Sequence, residues 1–124
     1  MIEFFDSNTN FGTVTFYDRH LLFNSKFIRY FEDVFRVRVG IDKDNDEVIV
    51  FLYDKDYALS GEIKESTLLP VSVSKSYVRV ASKQLIEYLS SAFGLKIEKG
   101  QSIQFQAEYE CNKKCVIIHM GGKK

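Results

Sequence analysis

The chain has 124 residues, enough for one domain with its own core. Its 17 basic and 17 acidic residues give a formal net charge of zero, which excludes a strongly basic nucleic-acid-binding domain but not a local basic face. Eleven Phe and seven Tyr, without Trp, favour a β-rich fold. Two cysteines are too few for a disulfide scaffold. Because membrane-spanning and signal-peptide patterns are also missing, we expect a reduced, cytoplasmic protein.

The chain begins with a polar arm and two short strands. Residues 1–10 end in a polar run, which predicts an edge strand or a loose arm. Residues 12–17 alternate between apolar and polar β-formers, so Val14 and Phe16 are expected to share one face. A turn then leads into the next predicted strand, Leu21–Phe23.

A short helix follows, and its pattern occurs twice in the chain. Asn24 and Ser82 are both good helix N-caps, since a short side-chain oxygen accepts a hydrogen bond from an unpaired backbone N–H. The apolar residues behind the caps match in pairs: Phe27/Leu85, Ile28/Ile86, Tyr30/Tyr88 and Phe31/Leu89. The sequence therefore predicts a duplicated strand–helix–hairpin unit. Repeat one covers about residues 12–53, the connector 54–70, and repeat two about 71–120.

Each predicted repeat closes with a β-hairpin. In the first hairpin Arg36 and Arg38 point outward, and the alternating inward residues are Phe35, Val37, Val39 and Ile41. Its return strand, Val48–Tyr53, is apolar on both faces, which predicts that it is covered on both sides or lies at a subunit interface. In the second hairpin, Ile103–Tyr109 is a half-buried strand and Cys111–Cys115 is the turn.

An aspartate run has the residue types that bind calcium. Asp42, Asp44 and Asp46 resemble the opening of an EF-hand loop. That loop needs Gly at its sixth place and Glu at its twelfth, which here are Glu47 and Tyr53. Strands instead of helices flank the run, so we expect a solvated hairpin turn.

The cysteines and histidines allow two interpretations. Cys111, Cys115 and His119 could supply three zinc ligands, whereas structural zinc sites usually need four. The alternative, which we expect, is a packed or oxidised cysteine pair whose members face each other across the hairpin. His20 lies at a turn, and His119 has no recognisable partner. Because no known catalytic motif occurs either, we expect no metal, no cofactor and no enzyme activity.

Basic residues form the remaining constellation. They concentrate in the first repeat and at the start of the second, and Arg36 and Arg38 share one face of a strand. Such side chains could contact phosphates, or they could form a solvated face that resists edge pairing. The candidate DNA-binding residues are Arg19, Lys26, Arg29, Arg36, Arg38, Arg79 and Lys83.

The strand–helix–hairpin pattern resembles the swapped-hairpin fold of the AbrB/SpoVT/MazE superfamily of transition-state regulators and antitoxins. The resemblance lies in Leu21–Phe31 with the first hairpin, and in Val80–Leu89 with Gly94-Leu95, Lys99–Gln101 and the strand from Ile103. Asn24 and Ser82 stand where the family usually has Pro. The resemblance implies a mainly β (α+β) fold, with both repeats of one chain forming a single pseudo-two-fold β-barrel that carries two short helices.

Two functions follow from these patterns. The resemblance implies a small DNA-binding transcriptional regulator or antitoxin-like protein, with Arg19 and Arg29 near the family's DNA-contacting places. The alternative is a non-catalytic protein-interaction module that does not bind DNA and that could self-associate through Val48–Tyr53.

Overall fold

Nine antiparallel strands form a nearly closed barrel in the computed structural model, which describes residues 11–121. They are β1 (Phe11–Tyr17), β2 (His20–Phe23), β3 (Arg36–Asp42), β4 (Glu47–Tyr53), β5 (Leu69–Pro70), β6 (Ser72–Val73), β7 (Val78–Ala81), β8 (Ser102–Glu110) and β9 (Cys115–His119). The strand order is β5-β3-β4-β9-β8-β1-β2-β7-β6. Strands β5 and β6 are separated only by Val71, and we refer to them together as the interrupted strand β5–β6. Because β5 pairs with β3 and β6 pairs with β7, β5–β6 connects the two ends of the sheet. The prediction of a mainly β fold is confirmed.

Both predicted helices form at the expected places and with the expected caps. The first is a 3-10 helix, Ser25–Phe31, and the Asn24 side chain accepts from the Lys26 N–H. The second is α2, Lys83–Phe93, where Ser82 Oγ accepts from the Leu85 N–H at 3.1 Å. The 3-10 geometry suits a short segment that contains three aromatic residues and the β-branched Ile28, since these residue types have modest α-helix propensity.

The predicted connector contains more structure than its turn-like composition suggests. It holds the short helix α1, Lys55–Ala58, and a 3-10 helix, Glu65–Thr67, so the barrel carries more than the two helices expected. Pro70 lies in β5, opposite Arg36, instead of only closing a loop. Proline is tolerated there because β5 is very short. The prediction made for residues 1–10 lies outside the described residues.

The barrel interior is filled by alternating strand residues and by the two longer helices. Val14 and Phe16 are fully buried on one face of β1, as predicted. Phe27 and Phe31 enter the core from the 3-10 helix and contact Phe23, with ring centroids 5.9 and 5.1 Å away. Leu85, Ile86 and Leu89 make up the buried side of α2. Within residues 11–121, no helix has the length and apolar character needed to cross a bilayer.

Candidate nucleic-acid interface

The outer surface around the interrupted strand β5–β6 carries three of the predicted arginines. Arg36 and Arg38 occupy outward places on β3, where they alternate with the buried Val37. Arg79 occupies an exposed outward place on β7, between the buried Val78 and Val80. Arg36 lies opposite Pro70 of β5, and Arg79 lies opposite Ser72 of β6. The two strands that carry these arginines are therefore separated on the barrel surface only by β5–β6.

Two further predicted cations lie where β2 and β7 meet the start of α2. The Ser82 backbone N–H donates to the Arg19 carbonyl oxygen at 3.0 Å, which brings the β1–β2 turn next to the first residue of α2, Lys83. Both side chains are exposed. The antiparallel pairing of β2 with β7 continues this surface to Arg79, which lies opposite Leu22. Together Arg19, Arg36, Arg38, Arg79 and Lys83 define what we call the basic surface.

The cations of the basic surface form no ion pair with any acid that the structure describes. Within residues 11–121, none of them lies within 4.0 Å of a carboxylate oxygen. Arg36 is held by its own neighbour, because its Nη1 donates to the Phe35 carbonyl at 2.8 Å and its guanidinium lies 4.1 Å from the Phe35 ring centroid. Arg38 lies 5.7 Å from the Tyr53 ring centroid. These contacts orient positive charge without cancelling it.

His20 lies within this positive surface, stacked on Tyr17 with 4.6 Å between ring centroids. Burial lowers the pKa of His20 below its ordinary value of 6.5. The Arg79 guanidinium lowers this pKa further, and Asp18 acts in the opposite direction. Burial and the positive charge of Arg79 therefore both favour the neutral form of His20.

The other two predicted DNA-contacting residues lie on the 3-10 helix, away from the basic surface. Lys26 is exposed in its first turn. Arg29 Nη2 donates to the Tyr30 hydroxyl at 2.6 Å, and Arg29 lines a cleft next to the β8–β9 turn. The structure thus brings five of the predicted residues around β5–β6 and β7 and leaves these two elsewhere.

Sequence reasoning missed this cleft, which has a volume of about 550 Å³. Its tyrosine side chains are Tyr30, Tyr53, Tyr57 and Tyr109, with both acidic and basic side chains at the rim. Tyr30 and Tyr109 are stacked at 3.9 Å between centroids. Burial raises the pKa of Tyr109, and nearby Cys111, Tyr30 and Cys115 raise it further. The high aromatic content was the only signal in the sequence, and it indicated a core instead of a cleft.

The structure corrects the expectations for His119 and the cysteines. His119 does have partners, because Nδ1 lies 3.6 Å from Glu47 Oε2 and Nε2 lies 3.5 Å from Glu108 Oε1. The cysteines do not face each other across the hairpin: Cys115 pairs with Glu110, and Cys111 is an exposed residue of the turn. Burial is the main reason that the pKa of the Cys115 thiol is raised. Both thiols are free.

The aspartate run forms the β3–β4 turn, as predicted. The Asn45 backbone N–H and side-chain amide both donate to the Asp42 carboxylate, at 3.3 and 2.8 Å. Lys43 leaves the turn and donates to the Ala92 carbonyl in the last turn of α2, where a cation is favourable. Across residues 11–121, no group of three or more His, Cys, Asp or Glu side chains is arranged to hold a metal ion.

Comparisons with known proteins add no assignment to this geometry. No family model, no curated protein and no solved structure matches the chain. Arguments about function therefore depend on the surfaces of the barrel, and the cations around β5–β6, which have no ion-pair partner among the described residues, are the feature closest to the prediction from sequence.

Proposed function

We propose that this protein is a small DNA-binding regulator or antitoxin-like protein that holds the phosphate backbone with its basic surface. The observation that carries the proposal is the pair of arginine-bearing strands, β3 and β7, on either side of β5–β6, whose arginines form no ion pair with the acids of residues 11–121. Arginine and lysine side chains in such an arrangement suit phosphate oxygens, whose neutralisation releases counterions from DNA.

The surroundings of these cations also favour a phosphate ligand. Pro70 and Ser72, which lie between Arg36 and Arg79, are exposed and uncharged. A polyanion that approaches β5–β6 therefore meets positive charge from both sides without a strand of acidic residues between them. The formal net charge of zero still allows this, because nucleic-acid attraction depends on the local field.

The duplicated, swapped-hairpin origin of the barrel belongs to the same proposal. Strand β2 of the first repeat pairs with β7 of the second, and β4 of the first pairs with β9 of the second. A two-fold axis that relates the two repeats requires such pairing between equivalent strands. The two hairpin turns match as well, since Asp46 and Lys114, the last residue of each turn, have positive φ values of 52° and 50°. Strand β1 pairs with both β2 and β8. In the corresponding place of the other half, β5–β6 pairs with both β7 and β3. These relations support a fold similar to AbrB-like barrels, with one chain supplying both halves.

The proposal is tested by fluorescence anisotropy with a generic DNA duplex, titrated at low and at moderate salt. We expect wild-type binding to weaken steeply with salt. The double variant Arg36→Gln/Arg79→Gln should bind more weakly, and the slope of log K against log salt should become shallower by about 0.9 for each phosphate that the variant no longer neutralises. A matched control, Lys96→Gln/Lys113→Gln, removes the same charge from exposed places outside the basic surface.

Three results would count against the proposal. No binding by the wild type at low salt would overturn DNA binding altogether. Equal weakening in both double variants would reduce the effect to net charge and remove the basic surface from the explanation. Binding that is insensitive to salt would exclude phosphate contacts as its source. Circular dichroism of each variant checks that the fold is intact.

A further inference from the structure

The outer side of the central hairpin strands is an apolar sheet face, which we call the β4–β9 face. The residues of β4 alternate between the core and this face: Val48, Val50 and Leu52 are buried inside, and Ile49, Phe51 and Tyr53 are partly buried outside. On β9, Ile117 is the corresponding partly buried residue, whereas Cys115 lies on the same side of the strand but is fully buried, with 1% of its surface exposed. The two longer helices make their main strand contacts with β1, β2 and β7, on other parts of the barrel.

Opposite charges flank this apolar stripe. On one side β3 contributes Arg38, whose guanidinium lies over the Tyr53 ring. On the other side β8 contributes Glu108 and Glu110. Glu108 is near His119, and Glu110 Oε1 accepts from the Asn112 N–H at 2.9 Å, which leaves its second oxygen available. At the level of Arg38 and Glu110 the face therefore runs from positive through apolar to negative across four neighbouring strands, whereas the next paired positions on this side of β3 are Gly40 and Asp42.

The strand register aligns residues of the four strands in rows across this face. One row contains Arg38, Phe51, Cys115 and Glu110, because each is the pairing partner of the next. The next row contains Gly40, Ile49, Ile117 and Glu108. A third row places Asp42, Glu47 and His119 side by side. Each row reads in the order β3, β4, β9, β8.

We propose that a second copy of this chain packs on the β4–β9 face, around a two-fold axis that is parallel to the strands and lies between β4 and β9. That rotation places β3 of one copy opposite β8 of the other, and β4 opposite β9. Each row of one copy then lies opposite the same row of the other copy. Arg38 of one copy then faces Glu110 of the other, Ile49 faces Ile117, and Phe51 lies over the buried Cys115 position. In the dimer Arg38 therefore belongs to the rim of this face, and the other four cations of the basic surface lie outside these rows. In the third row Glu47 faces His119. Apolar groups therefore meet apolar groups in the central rows, and the charged Arg38 and Glu110 meet each other at the rim, which is the self-complementarity of an isologous dimer. Glu108 faces Gly40 and gains no charged partner in this arrangement.

The shape of the barrel decides which contacts dominate. Its outer surface is convex, so β4 and β9 approach the partner most closely and the flanking strands curve away. The apolar rows thus form the centre of the interface, and only long side chains such as Arg38 and Glu110 reach across its rim. Aligned sheet packing, with an angle of about 30° between strand directions, keeps the central rows matched. A two-fold contact closes at two subunits, so no larger assembly follows.

Sedimentation equilibrium over a wide range of protein concentrations tests the dimer. The wild type should show a reversible monomer–dimer equilibrium. Phe51→Asp should weaken the dimer at least tenfold, about 1.4 kcal/mol, because it places a charge at the apolar centre. Tyr88→Asp is the matched control, since Tyr88 is a 56% exposed aromatic residue of α2 outside this face, and it should leave the equilibrium unchanged.

A charge exchange tests the geometry without removing the apolar centre. Arg38→Glu and Glu110→Arg each place like charges opposite each other in the dimer, so each single variant should dimerise more weakly than the wild type. The double variant Arg38→Glu/Glu110→Arg restores opposite charges and should recover the affinity that either single variant lacks. A wild type that stays monomeric at all concentrations would overturn the proposal. A dimer that tolerates Phe51→Asp, or a double variant weaker than both single variants, would overturn this face and this axis.

Discussion

Gly12 is the position where the packing can be tested most sharply. It is a buried residue of β1, in the central region of the sheet, opposite Ala107. A Cβ atom added there would lie 2.7 Å from Phe27 Cζ and 2.9 Å from Asn24 Oδ1, both closer than real Cβ contacts allow. Phe27 is fully buried, so its ring cannot move away without disturbing the core. Asn24 caps the 3-10 helix and its Nδ2 donates to Thr13 Oγ1 at 3.1 Å, so its displacement also breaks these hydrogen bonds.

Gly12→Ala should therefore lower the free energy of unfolding strongly, although it adds only one methyl group. Overpacking of a core costs about 1–3 kcal/mol, and the loss of an N-cap contributes about 0.5–2 kcal/mol when the cap is displaced. We expect a total of about 2–4 kcal/mol in the free energy of unfolding, measured by urea denaturation. The matched control is Gly40→Ala in β3, where an added Cβ meets nothing within 4 Å. That change should be neutral or stabilise by up to about 1 kcal/mol, through the unfolded state.

A double-mutant cycle identifies the clash itself. Phe27→Leu shortens the side chain that meets the new methyl group, so it should cost less in the Gly12→Ala background than in the wild type. If Gly12→Ala proves as stable as Gly40→Ala, or if the two changes at Gly12 and Phe27 are additive, the close approach of β1 to the 3-10 helix is not what constrains this position.

Two further predictions concern a cap and a titration. Ser82→Ala should lower the free energy of unfolding by about 1 kcal/mol, because Ser82 Oγ caps α2, whereas the exposed Ser91→Ala in the same helix should not destabilise it; equal urea midpoints for both variants would contradict this role. Because the folded state binds the His20 proton more weakly than the unfolded chain does, His20 should make stability fall as the pH drops from above 6.5 through its lower folded-state pKa. Urea denaturation from about pH 8 to about pH 5 should show a shallower fall for His20→Gln, and identical pH slopes in the two proteins would refute this.

Local patterns were sufficient for most elements of the barrel. Period-two alternation identified the faces of β1, β3 and β8, because a strand with one buried side leaves that signal in its sequence. Short polar caps identified where both longer helices begin, since capping is decided within one turn of the chain. The connector was the main gap, because β5 and β6 are too short for any periodicity and are defined only by their pairing with β3 and β7.

The sequence by itself determined which residues are cations and which strand faces are apolar. Only the tertiary structure decided which of these cations and apolar faces lie next to each other. The pairing of β5–β6 brings Arg36 near Arg79, although they are far apart in the chain, and leaves Arg29 at a tyrosine-lined cleft. The register of four strands likewise sets Arg38, Phe51, Cys115 and Glu110 in one row. These are long-range contacts, and their physical cause is the closure of a twisted sheet into a barrel, which no local pattern encodes.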